Sequence, residues 1–569
     1  MNNLIYIRTM AAGLFVWTAG LDAAWAQTLP PAPLPPVSQQ TLKRPRAQPD
    51  MKQPLTSPPR LAAQPVFLAS GPSPWRSLSR QPPFNAGAML LLTDGTVMVH
   101  DQGAKNSGTS NWWRLTPDVN GSYLNGTWSK LAALPADYDY APLYFACAVL
   151  ADGRVIIEGG EYNNGQEVFT NLGAIYDPVT NKWTPVPPPE GEEWLMIGAA
   201  ASTVLADGTF MIGGIFTNEQ ALFNPASLSW TITGKGKADS NSEETWTLLP
   251  NTEVLTVDAN NPENLTNSEL YLPERGSWIS GGSTKVNLPD IDANGGGTHE
   301  MGPQLLLPNG TVFAIGATGH TAIFNPGEEG GWTPGPDFPK LGGVQYAVAD
   351  GPAALLPSGK VLLMASPGVD HLPPAHFFLF DGTSLPPLQP VADPRNVANL
   401  SAYYGYMIVL PTGQVMFNSR LGDIELYTDT GPIASNAAPV IAPPVSASLA
   451  ASKGASPFPK ECLSVPTTLV AGRNYCLPGR QLNGVSQAAA YAEGYQSATN
   501  YPLVRIVNAK TKHVFYARTF DRNGMPVTPN EESWTHFTVP AGIEAGAATL
   551  FAVANGIASN PISVTVAKK

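Results

Sequence analysis

Histidine is the side chain most often used for metal binding and proton transfer near neutral pH, and this chain contains seven of them. They are His100, His299, His320, His371, His376, His513 and His536. None forms a His-x-His or His-x-x-x-His pair, and the two prolines between His371 and His376 exclude the helical spacing that would align those rings. We therefore expect hydrogen-bonded surface or loop histidines, and the sequence predicts no histidine metal site.

Two acidic loops, residues 257–267 and 290–300, offer the oxygen ligands that calcium prefers. Neither has the spacing of an EF-hand, and turn-forming Asn, Asp and Gly explain both loops without a metal. The chain also lacks a Gly-x-Ser-x-Gly elbow, a His-Glu-x-x-His pair and a phosphate-binding glycine loop. No hydrolase or nucleotide-binding motif is therefore found.

The composition indicates which elements position the polar residues. The 569 residues include 54 Gly and 57 Pro, and only 13% are charged. Helices tolerate neither Gly nor Pro in their interior, so this balance predicts strands and turns. The net charge of −12 argues against a nucleic-acid partner, which requires a basic surface.

A repeated pattern begins at Phe84: an apolar strand, a tight turn, a second apolar strand, and outer strands with an aromatic residue. The turns recur about every 53 residues. The turn pairs are Asp94-Gly95, Asp152-Gly153, Asp207-Gly208, Asn251-Thr252, Asn309-Gly310, Ser358-Gly359 and Thr412-Gly413. Asp-Gly and Asn-Gly tolerate the positive φ of a tight hairpin. The pattern predicts a seven-bladed β-propeller spanning residues 65–436.

The seventh repeat stops without its outermost strand, whereas an isolated strand of that type, residues 73–84, precedes the first repeat. Unpaired strand edges invite aggregation. We therefore expect the N-terminal strand to complete the seventh blade.

Residues 1–26 have the pattern of a secretory signal peptide, with Arg8, an apolar stretch and Ala24-Trp25-Ala26 as a cleavage site. The alternative is a membrane anchor, but the apolar run contains Asp22 and is shorter than the ~20 residues that span a bilayer. Residues 27–64 form a proline-rich leader that we expect to be disordered. The prediction is an exported protein, secreted, periplasmic or extracellular, with no transmembrane segment after cleavage.

The repeat ends near residue 436 and is followed by a linker, 437–457, and by a run of short alternating strands, 458–569. This final unit is predicted to be an immunoglobulin-like β-sandwich. Cys462 and Cys476 lie 14 residues apart, which is compatible with a disulfide in an exported protein. We expect Cys147, in an apolar run, to be a buried thiol.

Several strings resemble known repeats and a known family. LADGRVIIEGG and LADGTFMIGG (residues 150–160 and 205–214) resemble kelch repeats, and residues 479–506 with the domain order resemble the galactose oxidase and glyoxal oxidase group. That resemblance implies an all-β protein in which two histidines and two tyrosines hold one copper ion. It also implies oxidation of primary alcohols or aldehydes through a tyrosyl radical on a cysteine-linked tyrosine.

Matched to that family, the copper site is largely not retained. Tyr403 lies at the position of a ligand tyrosine, but Tyr404 replaces a histidine and Phe520 replaces the second histidine. Phe216 corresponds to the aromatic residue that covers the cysteine–tyrosine link, and Tyr144 lies near the cysteine position. Phenylalanine cannot bind a metal, so the resemblance predicts no cofactor here.

The first hypothesis is a non-catalytic, exported recognition or scaffold protein, with Tyr403, Tyr404, Phe216 and Phe520 as candidate ligand-binding residues. Aromatic faces with a few hydroxyls suit sugars, so a glycan or a cell-envelope protein is the expected partner. An alternative for the same residues is core packing between the two domains. The alternative functions are an extracellular copper radical oxidase with an altered site, which would require copper, and a purely structural propeller that binds protein partners.

Overall fold

The computed structural model describes residues 73–104, 107–327, 331–368, 371–383, 387–443, 458–487 and 493–569. The predicted signal peptide, 1–26, and leader, 27–64, lie outside these ranges. None of the described helices is long and apolar enough to cross a membrane. They are short 3-10 turns at Ala136–Tyr138, Glu192–Trp194, Val397–Asn399, Ala402–Tyr404, Ser435–Ala437 and Lys460–Cys462.

Strands of two to seven residues build the first part of the chain, because tight turns close the apolar runs. After β1 (Trp75–Ser77), sheet 1 contains β2 (Ala86–Leu91), β3 (Val97–Asp101), β4 (Trp112–Thr116) and β5 (Thr127–Lys130). A small sheet contains β6 (Pro142–Leu143), β9 (Tyr162–Asn163) and β10 (Gln166–Glu167). Sheet 2 contains β7 (Ala146–Val149), β8 (Val155–Glu158), β11 (Gly173–Asp177) and β12 (Lys182–Val186).

The next three sheets repeat the same order. Sheet 3 contains β13 (Ser202–Val204), β14 (Phe210–Gly213), β15 (Gln220–Asn224) and β16 (Ser229–Thr233). Sheet 4 contains β17 (Thr247–Leu248), β18 (Val254–Val257), β19 (Asn267–Leu272) and β20 (Ser277–Ser283). Sheet 5 contains β21 (Gln304–Leu306), β22 (Val312–Ile315), β23 (Thr321–Phe324) and β24 (Trp332–Pro334).

Sheet 6 has a short hairpin attached to it. The hairpin is β25 (Lys340–Leu341) and β26 (Val344–Ala347), and the sheet contains β27 (Ala353–Leu355), β28 (Val361–Pro367), β29 (His376–Phe380) and β30 (Gln389–Val391). Sheet 7 contains β31 (Tyr406–Val409), β32 (Val415–Asn418), β33 (Ile424–Tyr427) and, at its outer edge, β1. Trp75 of β1 pairs with Tyr427 of β33, as the orphan strand in the sequence predicts.

Within the described residues, seven antiparallel sheets thus share one four-stranded plan, and their innermost strands contact one another in sequence. Contacts run from β31 through β2, β7, β13 and β17 to β21, and β27 contacts β31. Phe313 of sheet 5 stacks on Phe380 of sheet 6 with ring centroids 3.8 Å apart. The fold is therefore the predicted β-propeller.

The C-terminal part of the described chain contains nine paired strands, eight in one continuous order and one short strand attached beside them. They are β34 (Val440–Ile441), β35 (Thr468–Val470), β36 (Asn474–Arg480), β37 (Leu503–Asn508), β38 (Val514–Phe520), β39 (Glu532–Thr538), β40 (Gly546–Ala554), β41 (Ile557–Ala558) and β42 (Ile562–Ala567). The first residues of β38 pair with β37 and its last three pair with β39, so this strand joins two layers around one apolar core.

Two features near the start of this unit bear on the sequence predictions. Cys462 and Cys476 form a disulfide with Cα atoms 5.1 Å apart. Strand β34, which pairs with β36, lies within the predicted linker 437–457, whose residues 444–457 are outside the described ranges.

The tight turns of the propeller pack against the C-terminal unit. The backbone N–H of Thr519 donates to the carbonyl of Thr93 at 3.2 Å, and that of Arg522 donates to Ala151 at 3.1 Å. Gly95 has a φ of 77°, and a Cβ at this position would lie 2.4 Å from the Tyr516 ring. We call this side the turn face and the opposite side, where the innermost strands begin, the upper face.

Candidate functional site

A single segment runs through the centre of the propeller. This axial segment, residues 481–502 without the undescribed 488–492, connects β36 to β37. Its described residues contact the innermost strand of every sheet, through Leu91, Cys147, Thr203, Leu248, Leu306, Ala353 and Met407. It therefore holds the sheets in fixed relation and brings Glu493 and Tyr495 to the axis.

Polar and aromatic residues lie two to four positions before several innermost strands. Tyr144 precedes β7, Glu243 precedes β17, Glu300 precedes β21, Asp350 precedes β27 and Tyr403 precedes β31. Because the repeats are equivalent, the fold places such residues in a circle at the upper face. The site is built from these positions together with the axial segment.

Arg420, which follows β32, is the buried cation of this site, with only 4% of its surface exposed. Its Nη1 donates to the Tyr144 hydroxyl at 2.9 Å and its Nη2 donates to the Tyr403 carbonyl at 2.6 Å. Among the described residues, Cζ lies near five tyrosine rings: Tyr144 (5.3 Å), Tyr403 (5.5 Å), Tyr404 (5.6 Å), Tyr406 (4.7 Å) and Tyr495 (5.4 Å). Cation–π attraction inside a desolvated site favours this arrangement.

Tyr403 and Tyr404 form a partly exposed pair, with ring centroids 4.2 Å apart. Both belong to the 3-10 turn Ala402–Tyr404, and the His371 ring lies 4.7 Å from that of Tyr403. Burial, followed by the neighbouring Tyr404, raises the pKa of Tyr403 above its ordinary value, so its hydroxyl stays protonated. The pair presents an aromatic surface with hydroxyl groups.

Carboxyl groups adjoin this aromatic pair. Glu243, Asp350 and Glu493 are buried, and one oxygen of each lies within 4.8 Å of the others. Asp350 belongs in the same way to a second group, with Glu300 and His371. Burial, and then the neighbouring carboxylates, raise the pKa of Glu300 and Glu493 well above the ordinary value. Protons held there allow these groups to donate as well as accept hydrogen bonds.

The structure brings together two of the four residues predicted to bind a ligand. Tyr403 and Tyr404 are adjacent at the upper face, whereas Phe216 packs on Phe169 with ring centroids 4.9 Å apart. Phe520 stacks on His536 in the C-terminal unit, 5.6 Å between centroids. Its neighbour Thr519 bonds to a turn of sheet 1, which places Phe520 at the turn face. An inner strand lies between Phe520 and the two tyrosines, so the four candidate residues do not form one site.

The residues present do not fit the copper ion that the family resemblance implies. The resemblance assigns the two histidine positions to Tyr404 and Phe520, but Phe520 lies at the turn face beside His536, so the four assigned ligand positions do not come together. A permanently charged guanidinium lies between Tyr144, Tyr403 and Tyr404. The described groups of metal-ligand type at this face are Glu300, Asp350 and His371, and Glu243, Asp350 and Glu493, and neither group is the set of two histidines and two tyrosines that the resemblance implies.

Most of the other histidines have simple partners. His376 bonds to Asp393 at 2.7 Å, and His100 bonds to the Thr109 carbonyl at 2.8 Å. Burial lowers the pKa of His100 to about 4, so its ring is neutral. His371 differs, because it belongs to the site.

Sequence reasoning missed Arg420, Glu243, Asp350 and Glu493. For two of them a signal exists: Glu243 lies nine residues before Thr252 and Asp350 nine before Gly359, an offset close to that of Tyr403 from Gly413. Arg420 and Glu493 carry no such signal, because neither stands before an innermost strand.

No protein-family model matches the chain. A kelch-like protein, terF, from Aspergillus terreus is 34% identical over 99 residues, which is 17% of this chain and 20% of that relative's length. This short match agrees with the kelch pattern of the repeats and spans only a fifth of the relative.

Two solved structures illustrate the likeness in fold. A fungal alcohol oxidase of the AA5 family, in complex with copper, aligns with a TM-score of 0.47 at 14% identity, covering 87% of this chain and 98% of its own. Virginiamycin B lyase from Staphylococcus aureus aligns with a TM-score of 0.39 at 8% identity, covering 62% and 97%. Likenesses at this level give no information on activity.

Proposed function

We propose that this protein is an exported, non-catalytic recognition protein that binds a carbohydrate at the upper face of its propeller. The observation that carries the proposal is the Tyr403–Tyr404 pair, partly exposed and held by the guanidinium of Arg420. Aromatic faces pack against the C–H face of a sugar ring, and their hydroxyls hydrogen-bond its substituents.

The neighbouring polar groups supply what a polyhydroxylated ligand needs. Glu300, Asp350 and His371 offer oxygen and nitrogen atoms within 4.8 Å of one another beside the tyrosines. Such groups accept hydrogen bonds from sugar hydroxyls and fix the orientation of the ring. Glu300 and Glu493, whose pKa values are raised by burial, present neutral donors and acceptors to a neutral sugar, and Glu243 and Asp350 offer carboxyl oxygens to an amino group, so we expect a neutral or amino sugar.

The site is also preorganised. The Met407 N–H donates to the Tyr495 carbonyl of the axial segment at 2.9 Å, and Ala353 donates to Gln496 at 3.1 Å. A site whose residues are already ordered loses less conformational entropy when the ligand binds. The apolar N-terminal stretch with its cleavage motif supports export, and a glycan or cell-envelope protein is the partner we propose.

The test is calorimetric titration of neutral, amino and uronate oligosaccharides into the mature protein. We expect saturable binding of a neutral or amino sugar, and about tenfold weaker binding by Tyr404→Ala, because one ring-stacking contact is lost. Tyr404→Phe is the matched control, because it keeps the ring and removes only the hydroxyl, so its affinity should fall less than that of Tyr404→Ala. The proposal fails if no oligosaccharide binds, or if Tyr404→Ala binds as tightly as the wild type.

A further inference from the structure

We infer that Arg420 replaces a metal ion as the organising cation of this site, so that the protein builds its tyrosine platform without copper and rejects copper. The platform here means Tyr144, Tyr403 and Tyr404. The inference does not depend on which ligand the platform binds.

Arg420 lies among the residues that the family resemblance assigns to the copper site. The resemblance assigns Tyr403 and Tyr404 to two metal-ligand positions and places Tyr144 near the cysteine position. The Arg420 guanidinium lies 5.3 to 5.6 Å from these three rings and bonds directly to two of the residues. One side chain of this chain thus fills the space among them.

The guanidinium of Arg420 has the properties needed to hold the tyrosines. A guanidinium is planar and charged at any pH a protein survives, and its N–H groups bind oxygen atoms in a fixed geometry. It supplies what a metal would supply to the tyrosines, a positive charge with directed bonds. The Tyr144 backbone adopts a left-handed conformation, φ 55°, at the residue that accepts the Nη1 bond.

The charge of Arg420 also disfavours a copper ion at this place. Two positive charges about 5 Å apart repel each other enough, in a partly screened protein interior, to weaken binding roughly a hundredfold per unit charge. For a divalent ion beside Arg420 the repulsion energy is twice as large. The group of metal-ligand type beside Tyr403 is Glu300, Asp350 and His371, which does not reproduce the two histidines and two tyrosines of the family's copper site.

The experiment measures copper directly on the full mature protein. Wild-type protein is equilibrated with Cu(II) and desalted, and its copper content is determined by mass spectrometry. We expect far less than stoichiometric copper and an unfolding temperature that copper leaves unchanged. Stoichiometric retention, with a phenolate-to-copper absorption band, would overturn the inference whatever the outcome of the carbohydrate titration.

Variants test whether Arg420 organises the rings. Arg420→Met removes the charge and keeps much of the side-chain volume, and we expect the near-UV circular dichroism of the tyrosines to fall. Arg522→Met is the matched control. Arg522 is also buried, and its Cζ lies 5.3 Å from the centre of the Tyr501 ring, but its Nη2 donates to the Leu150 carbonyl at the turn face. An unchanged tyrosine signal in Arg420→Met, or an equal loss in both variants, would contradict the organising role. If Arg420→Met does not fold, the wild-type copper measurement still decides the inference.

Discussion

The outer strand β1 closes the propeller, and Trp75 is the side chain through which it does so. Trp75 is 5% exposed, lies 4.9 Å from Phe377 and 5.0 Å from Tyr427 between ring centroids, and its Nε1 donates to the Ala392 carbonyl at 2.6 Å. We predict that Trp75→Ala strongly destabilises the propeller, because it empties the contact between sheets 6 and 7.

The magnitude follows from these contacts. Truncating a buried tryptophan to alanine costs about 3–5 kcal/mol, and leaving the Ala392 carbonyl without its donor adds about 1 kcal/mol. We therefore expect a loss of about 4–6 kcal/mol in the free energy of unfolding. Urea unfolding followed by intrinsic fluorescence measures it.

The control is Trp332→Ala in β24 of sheet 5. Trp332 is 4% exposed and its Nε1 donates to Ser268 Oγ at 2.8 Å, so the cavity and the lost bond are comparable. However, β24 follows β23 directly in the chain, whereas β1 is separated from β33 by almost the whole propeller. Only Trp75→Ala should therefore free a strand edge and increase cleavage by protease near residue 75. A cost below about 1 kcal/mol, or equal protease sensitivity in the two variants, would refute the reasoning.

Two further predictions concern the buried network of sheet 4. Lys237 pairs with Asp239, Glu244 and Glu269. Lys237→Met leaves these buried carboxyl groups without their cation, so we expect the free energy of unfolding to fall by about 3–5 kcal/mol. Thermal unfolding measures the loss, and an unchanged stability would contradict the prediction. Burial is the main cause that raises the pKa of Glu269 from 4.5 to about 7. The folded state therefore holds this proton more tightly, and its contribution to stability is present below pH 4.5 and lost as the pH rises through about 7. The unfolding temperature should fall over this window, and less so in Glu269→Gln; the same slope in both proteins would disprove the assignment.

The repeated turns and apolar strands were sufficient to predict the propeller and the pairing of β1 with β33, because hairpins and strand alternation are local signals. The same local signals indicated strands in the C-terminal unit, but not the bend of β38 between layers. Local signals do not show which residues of different repeats come together. Tyr403 and Tyr404 are neighbours in the chain and remained together, whereas Phe216 and Phe520 were placed by family resemblance and lie elsewhere.

Arg420 illustrates why the site could not be predicted in full. The residues that contact its guanidinium lie up to 276 positions away in the chain, and nothing near Arg420 in the sequence distinguishes it from a surface arginine. Glu493 likewise reaches the axis only because the segment that carries it runs through the propeller. Such encounters depend on the closed ring and not on local propensity.

The axial segment has a consequence for the order in which the molecule can be completed. The aromatic cluster needs Tyr144 from sheet 2, Arg420 from sheet 7 and Tyr495 from the axial segment, which are spread over 350 residues of chain. During synthesis the first two must wait until the third has emerged from the ribosome. A truncated chain that ends within sheet 7 can form its strands but cannot form this cluster, because Tyr495 is still missing from it.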